Sequence, residues 1–155
     1  MPFIASNGLT EEGTSRTLEV DGWVPFSTGE RTKDSKITVH YHDIGEGEPI
    51  LFLHPYGPGT TAWISWYKVV GEFAKHYRCI LYDMPNFAKT GPLIYGGDVG
   101  QHEVQAQIGC DLMDALGIES AHWVGHSQGG QSALARRARL RAIPRRRTCA
   151  ATSAS

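Results

Sequence analysis

The sequence predicts an α/β fold with a mostly parallel sheet, on two observations. Short apolar runs at 50–53, 78–82 and 121–124 alternate with segments of helical spacing. Strands that alternate with helices pair in parallel through right-handed crossovers. The last of these runs leads into Gly125-His126-Ser127-Gln128-Gly129, a glycine-flanked turn after which a helical pattern restarts.

Residues 1–35 are polar and turn-rich, with one strand candidate at 17–24. Residues 36–44 alternate, with Ile37, Val39 and Tyr41 facing one way and Thr38, His40 and His42 the other. That pattern predicts a half-buried strand. Gly45-Glu46-Gly47-Glu48-Pro49 is a turn. The continuous apolar run at 50–53 predicts a strand covered on both faces. A helix is expected at 63–76, then a short strand at 78–82 ended by Asp83-Met84-Pro85-Asn86. The clearest helix is 98–116, where Val104, Ile108, Leu112 and Leu116 recur every four residues. Gly117 follows where a C-cap glycine is expected. Residues 121–124 form a third buried strand, and no internal repeat is present.

The composition is globular, at 41% hydrophobic and 20% charged over 155 residues, a length that suits one domain. No apolar stretch approaches the roughly 20 residues that span a bilayer. Residues 1–7 lack a basic start and a long apolar run, so no secretory signal is read there. The three cysteines (79, 110, 149) are odd in number and scattered, which fits a reducing compartment. A cytoplasmic location is expected. The net charge of −1 hides an asymmetry. Residues 1–135 carry eight Lys and Arg against all sixteen Asp and Glu, or −8; residues 136–155 add seven Arg and no acid, or +7.

Chemistry concentrates at two places. The Gly125–Gly129 stretch reads as G-x-S-x-G after a strand and before a helix, with Gly130 next. Such a turn lifts the Ser127 hydroxyl to the carboxyl end of the sheet, and the Gln128 amide can face an oxyanion there. The second place is His54-Pro55-Tyr56-Gly57-Pro58-Gly59, directly after the 50–53 strand. It is read as an oxyanion loop whose Tyr56 amide faces the same oxygen, since Pro55 has no N–H. His54 is read as a packing and loop-anchoring residue. His40 and His42, with no matching Cys or carboxylate set, are read as the solvated face of an edge strand rather than a metal pair. Asp83 is read as a turn former bonded to its own backbone. The aromatics at 63, 66, 67 and 73 are read as core.

Residues 36–130 resemble the N-terminal half of the α/β-hydrolase superfamily, and within it the meta-cleavage product hydrolases, which cut carbon–carbon bonds in ring-opened aromatic compounds. The family loop H-G-(G/S)-G-P-G is similar to His54–Gly59, with Pro55 and Tyr56 departing. Trp63 stands where the family has a tryptophan, and Trp66, Tyr67 and Phe73 match its aromatic helix. The segment R-V-I-x-x-D-x-P-G-x-x-x-S is matched by 78–90, with Asn86 for a glycine, and L-M-D-A-L-x-I by 112–118. Asn is the next best residue at a left-handed turn position. The resemblance implies a cofactor-free, metal-free serine hydrolase for a small carbonyl substrate. It implies Ser127 as nucleophile, Tyr56 and Gln128 as oxyanion amides, and Gly57, Ser65 and His126 on the substrate side. It also implies homo-oligomeric full-length relatives and no nucleic-acid or membrane partner. Two residues depart. His126 and Ser65 stand where the family carries substrate-side Asn, and His before the serine is typical of esterases, so an ester hydrolase is the alternative.

A serine nucleophile needs a base and an acid that orients it. All seven His precede Ser127, and no Asp, Glu or His follows it. His126 adjoins the serine, but neighbouring side chains diverge at a sharp turn, so it is not read as the base. Two regions are expected: 1–135, the N-terminal portion of a hydrolase domain, and 136–155, an Arg-rich tail that is poorly ordered and supplies no core strand. The fold is expected to be incomplete, with later strands and cap missing and an open edge beside the 121–124 strand. The chain is expected to be a truncated or frameshifted, inactive product of a hydrolase gene. The rivals are a genuine basic tail for nucleic acid or anionic surfaces, and a non-catalytic interaction protein that keeps the front half of the fold.

Overall fold

The computed structural model of the chain describes residues 3–21, 36–93, 100–139 and 150–151. Its elements run α1 (Glu11–Thr14), β1 (Ser15–Asp21), β2 (Lys36–Ile44), β3 (Glu48–Leu53), α2 (Ala62–Phe73), β4 (Tyr77–Tyr82), α3 (Gln101–Ala115), β5 (Ser120–Gly125), α4 (Gln128–Arg139) and β6 (Ala150–Ala151). The sheet order is β1-β2-β4-β3-β5-β6. β1 and β2 pair antiparallel, as do β2 and β4, and β4, β3, β5 and β6 are parallel neighbours. The expected α/β fold with its parallel centre is present. The antiparallel β1–β2 pair extends it at one edge, and the end of the 17–24 candidate and the start of the 98–116 helix lie outside the described residues.

Alternation along the strands divides the core into two layers. Leu51, Leu53, Ile80 and Tyr82 face one cluster with Ile37, Val39 and the α3 residues Val104, Ile108 and Leu112. Ile50, Phe52, Cys79 and Leu81 face the other, with Ala62, Trp63 and Val70 of α2. α2 thus covers one face of the sheet and α3, with α4 beside it, the other, as continuous apolar strands require. Of the α2 aromatics expected in the core, Trp63 is fully buried and Trp66 and Tyr67 pack against this second cluster, whereas Phe73, at the helix end, is exposed. Thr61 caps α2 by accepting from the Ile64 N–H at 3.0 Å. α3 ends at Gly117, with φ +69.

Three expectations are corrected. β2 is an interior strand between β1 and β4, buried on both faces from Val39 to His42, with Val39 and Tyr41 in the first cluster and the Trp63 ring beside His42. His40 and His42 are 1% and 0% exposed, not solvated. His42 shares a hydrogen bond of 2.9 Å with the Thr14 hydroxyl and stands 5.1 Å from the Trp63 ring. Asp83 bonds to distant groups rather than to its own turn, contacting His40 Nδ1 at 2.7 Å and accepting from the Ala62 N–H at 2.7 Å. The edge of β5 is partly covered, with Ser120 and Ala121 opposite Ala150 and Ala151. α4 runs to Arg139, and residues 140–149 and 152–155 of the expected tail lie outside the described residues.

Burial, and then the neighbouring His40, push the His42 ring down to about 4. The ring is therefore neutral in the folded chain at pH values where the unfolded chain protonates it. A lowered histidine adds stability that is full above its unfolded value near 6.5 and lost as pH falls toward 4. Between pH 7 and pH 4 we expect a loss of about 2–3 kcal/mol from this group. Urea melts across that range should show the slope, and His42→Phe should remove most of it. An unchanged slope in the variant would assign it elsewhere.

Candidate active site

The site begins with two parallel strands that end side by side. In the β3–β5 ladder Leu53 is opposite Gly125. The chain leaves β3 into the 54–61 loop and leaves β5 into the Gly125–Gly129 turn, at the same edge of the sheet. The His126 N–H donates to the Leu53 carbonyl at 3.2 Å, which ties the second exit to the first.

Ser127 has φ +54, a left-handed conformation that costs a residue with a side chain about 1–2 kcal/mol. It is exposed, as is His126. The flanking glycines allow this turn. A Cβ on Gly125 would lie 2.3 Å from the Gly129 carbonyl group, and one on Gly129 would lie 2.3 Å from the Leu53 oxygen. Both neighbours are backbone and cannot swing aside. Gln128 opens α4, and its side-chain amide donates to Gln105 Oε1 at 3.3 Å. Ser132, one turn later, donates to the same oxygen at 2.7 Å. Gln105 is fully buried on α3 and holds the first turn of α4. Sequence spacing carries no sign of that role.

In the 54–61 loop His54 is fully buried and Tyr56 is exposed. The Met84 N–H donates to His54 Nε2 at 3.0 Å, so Nδ1 carries the proton and donates to the Pro55 carbonyl at 2.8 Å. Burial lowers the His54 ring further from protonation. With both nitrogens engaged His54 anchors the loop and cannot serve as a base. Phe87 packs edge-on against the His54 and Tyr56 rings, at 5.0 and 5.7 Å. A cavity of about 370 Å3 lies between this loop and the turn after β4, lined by Tyr56, Gly57, Thr60, Asn86, Phe87 and Gln101 among others. Asn86 adopts φ +67, the left-handed position expected of it.

Gly57 lines this cavity; Ser65 and His126 do not. The Ser65 hydroxyl donates to the Thr61 carbonyl at 2.8 Å, within its own helix, and is not turned to the cavity. Ser127 is also outside the cavity wall, and no hydrogen bond engages its hydroxyl among the described residues. No set of three metal-ligating side chains occurs among the described residues, and none of their helices is long and apolar enough to cross a membrane.

The strand-turn-helix serine and the neighbouring loop stand at one edge of an α/β sheet. The profile of the α/β-hydrolase fold matches residues 48–139, so the chain belongs to that family. It is 40% identical over 128 residues to a 2-hydroxy-6-oxo-6-phenylhexa-2,4-dienoate hydrolase of Comamonas testosteroni, covering 81% of this chain and 41% of the relative. It is 42% identical over 101 residues to a 2-hydroxy-6-oxononadienedioate/2-hydroxy-6-oxononatrienedioate hydrolase of the same organism, covering 64% and 35%. Among solved structures it is similar to a meta-cleavage product hydrolase of Pseudomonas fluorescens IP01, with 35% identity, a TM-score of 0.56, and 68% and 38% of the two chains covered. A thermophilic esterase of Thermogutta terrifontis, at 24% identity and a TM-score of 0.63 over 81% and 42% of the chains, shares the fold. The chain spans about two fifths of the length of these relatives.

The turn's strain predicts opposite effects of two substitutions. Ser127→Gly should raise stability by about 1 kcal/mol, because glycine accepts the left-handed backbone. Gly129→Ala should cost about 3 kcal/mol or more, since its new carbon meets a strand carbonyl. Denaturant midpoints with unchanged m-values check both.

Proposed function

We propose that this chain carries the nucleophile and oxyanion part of a serine hydrolase that cuts a carbon–carbon bond in a ring-fission dienoate. The observation that supports it is the left-handed Ser127 in a G-x-S-x-G turn, in a chain 40% identical to a dienoate hydrolase. In this reading the Ser127 hydroxyl attacks the carbonyl or activates water. The Tyr56 and Gln128 amides receive the developing negative charge. Gly57, Ser65 and His126 belong to the substrate side.

The base and its acid are the open half of the site. No Asp, Glu or His follows Ser127 in these 155 residues, His54 has both nitrogens engaged, and His40 and His42 are buried in polar contacts of their own. The reading therefore assigns the base and acid to polypeptide outside these residues. Without them Ser127 is a neutral alcohol, a poor nucleophile at pH 7. A second reading, an ester hydrolase, is supported by His126 and Ser65, which stand where dienoate hydrolases resembling this chain carry Asn.

A chimera of residues 1–133 with the remaining part of the Comamonas dienoate hydrolase tests the proposal. It should turn over the ring-fission dienoate, and Ser127→Ala should lower kcat about a thousandfold or more. Preference for an aryl ester would move the reading to the ester hydrolase, and no turnover of either substrate would end the serine-hydrolase reading. The 155-residue chain alone should show no turnover above background and no fluorophosphonate labelling beyond that of Ser127→Ala. Strong labelling at Ser127 would reveal a base within the chain.

A further inference from the structure

Outside the Ser127 turn, hydrogen bonds join Ser15, His40, Asp83 and Ala62 in one line, and the residue after Asp83 bonds to His54. The Ser15 hydroxyl lies 2.6 Å from His40 Nε2, and His40 Nδ1 lies 2.7 Å from Asp83 Oδ2. A carboxylate only accepts, so His40 Nδ1–H donates to Asp83 and leaves Nε2 to accept from Ser15 when the ring is neutral. The other Asp83 oxygen accepts from the Ala62 N–H at 2.7 Å. Ala62 is the first residue of α2, where backbone N–H groups lack helical partners and the helix dipole favours an anion. Next along the chain, the Met84 N–H donates to His54. His40, Asp83, Met84, His54 and Ala62 are each at most 1% exposed.

His54 opens the 54–61 loop and Ala62 directly follows it. Both are held by one dipeptide, Asp83-Met84, at the carboxyl end of β4. We propose that His40 and Asp83 are positioning residues for the 54–61 loop, with the Ser15–His40–Asp83 line setting where the Tyr56 amide stands. The inference rests on reading that loop as the oxyanion loop. It gives the line a purpose that core packing does not. An apolar trio could fill the same volume, but it could not satisfy a helix N–H or set the direction of a carboxylate. Burial pushes the Asp83 carboxyl up, yet hydrogen bonds from His40 and the Ala62 N–H outweigh it and hold it below the usual range, so both oxygens stay acceptors. The position of Asp83 depends in turn on His40, whose ring is braced by Ser15 at the start of β1 and by the His42 ring at 5.0 Å. The contacts join β1, β2 and the start of α2 to the residues that follow β4 and β3, so the loop's ends follow the sheet rather than the loop's own sequence.

Two substitutions of His40 separate positioning from packing. In His40→Asn the side-chain amide nitrogen takes the place of Nδ1 and still donates to Asp83. In His40→Leu nothing does. Both lose the Ser15 bond and the ring contact with His42, so a merely structural role predicts the same effect from each. Amide hydrogen exchange on the full 155-residue chain, read by NMR, gives the answer. His40→Leu should lower protection of the Ala62 N–H at least about tenfold relative to Leu51 and Phe52 of β3, and His40→Asn should stay within about threefold of the unsubstituted chain. Equal Ala62 protection in the two variants, or loss spread evenly over β3, would overturn the proposal. Should His40→Leu fail to fold, Ser15→Ala removes only the outer link. It should lower Ala62 protection by about threefold without changing β3, and no change at Ala62 would count against the line. In the chimera, His40→Leu should lower kcat about tenfold or more with KM unchanged, and His40→Asn should restore it. A chimera inactive with every natural residue in place would end the functional reading alone, since the exchange result is read on the chain itself.

Discussion

The contact on which the rest of the site depends is between two stretches of backbone. Gly129, in the first turn of α4, sits against the carbonyl of Leu53, the last residue of β3, so closely that a methyl group there would stand 2.3 Å from the oxygen. This approach sets the height of α4 above the sheet. It also holds the turn before it, where Ser127 keeps a backbone conformation it would not choose alone. The same carbonyl accepts the His126 N–H, so one strand end receives the helix and fixes the turn. Core packing alone would not do this. Side chains can adjust by changing rotamer, whereas two backbones at contact distance have a single arrangement.

The parts of this architecture that were legible in the sequence are those written in local pattern. Apolar runs marked β3 and β4, because strands buried on both faces have little choice of residue, and marked β5, which contrary to expectation is mostly half-buried. A four-residue repeat marked α3, and Val104, Ile108 and Leu112 are all at most 1% exposed. The glycines around Ser127 and the asparagine at 86 marked left-handed or crowded backbone, which is a local steric matter. The loop after β3 was legible for the same reason, since a His followed by Pro and Gly must leave the strand at once.

The roles of His40, His42 and Asp83 were not legible, and the reason is distance along the chain. Period-two alternation assigns residues to two faces of a strand but does not say what covers each face. β2 looked like an edge strand because its second neighbour, β1, comes from a polar segment. The face bearing both histidines is covered by Trp63, whose partners in sequence are α2 residues. Ser15 is 25 residues from His40, and His40 is 43 from Asp83. Only the closed sheet brings them together. A polar residue in a strand reads as exposed until its partners are known, so the sequence reading fails where buried polar groups satisfy one another.

Where sequence and fold stop agreeing is also visible in one residue. α4 continues past Ala135, and Arg136 is 8% exposed, packed with its guanidinium 5.9 Å from the Trp123 ring. Its Nε and Nη2 are buried without a hydrogen-bond partner among the described residues. Trp123 belongs to the apolar cluster under α3, so the helix position that faces it calls for an apolar side chain. A cation over an aromatic face recovers part of the cost, about 0.5–2 kcal/mol, but an unpaired buried charge costs several times that. Two earlier charged pairs show the opposite arrangement. Arg78 makes two bonds to Asp43, and the buried His40 and Asp83 are paired with each other. The chain's acids all lie before residue 136, so the arginines that follow bring no partner of their own. Up to Ala135 local pattern and burial point to one fold. At Arg136 the residue type and the environment offered to it conflict, because a guanidinium stands over the Trp123 ring with two nitrogens unpaired among the described residues.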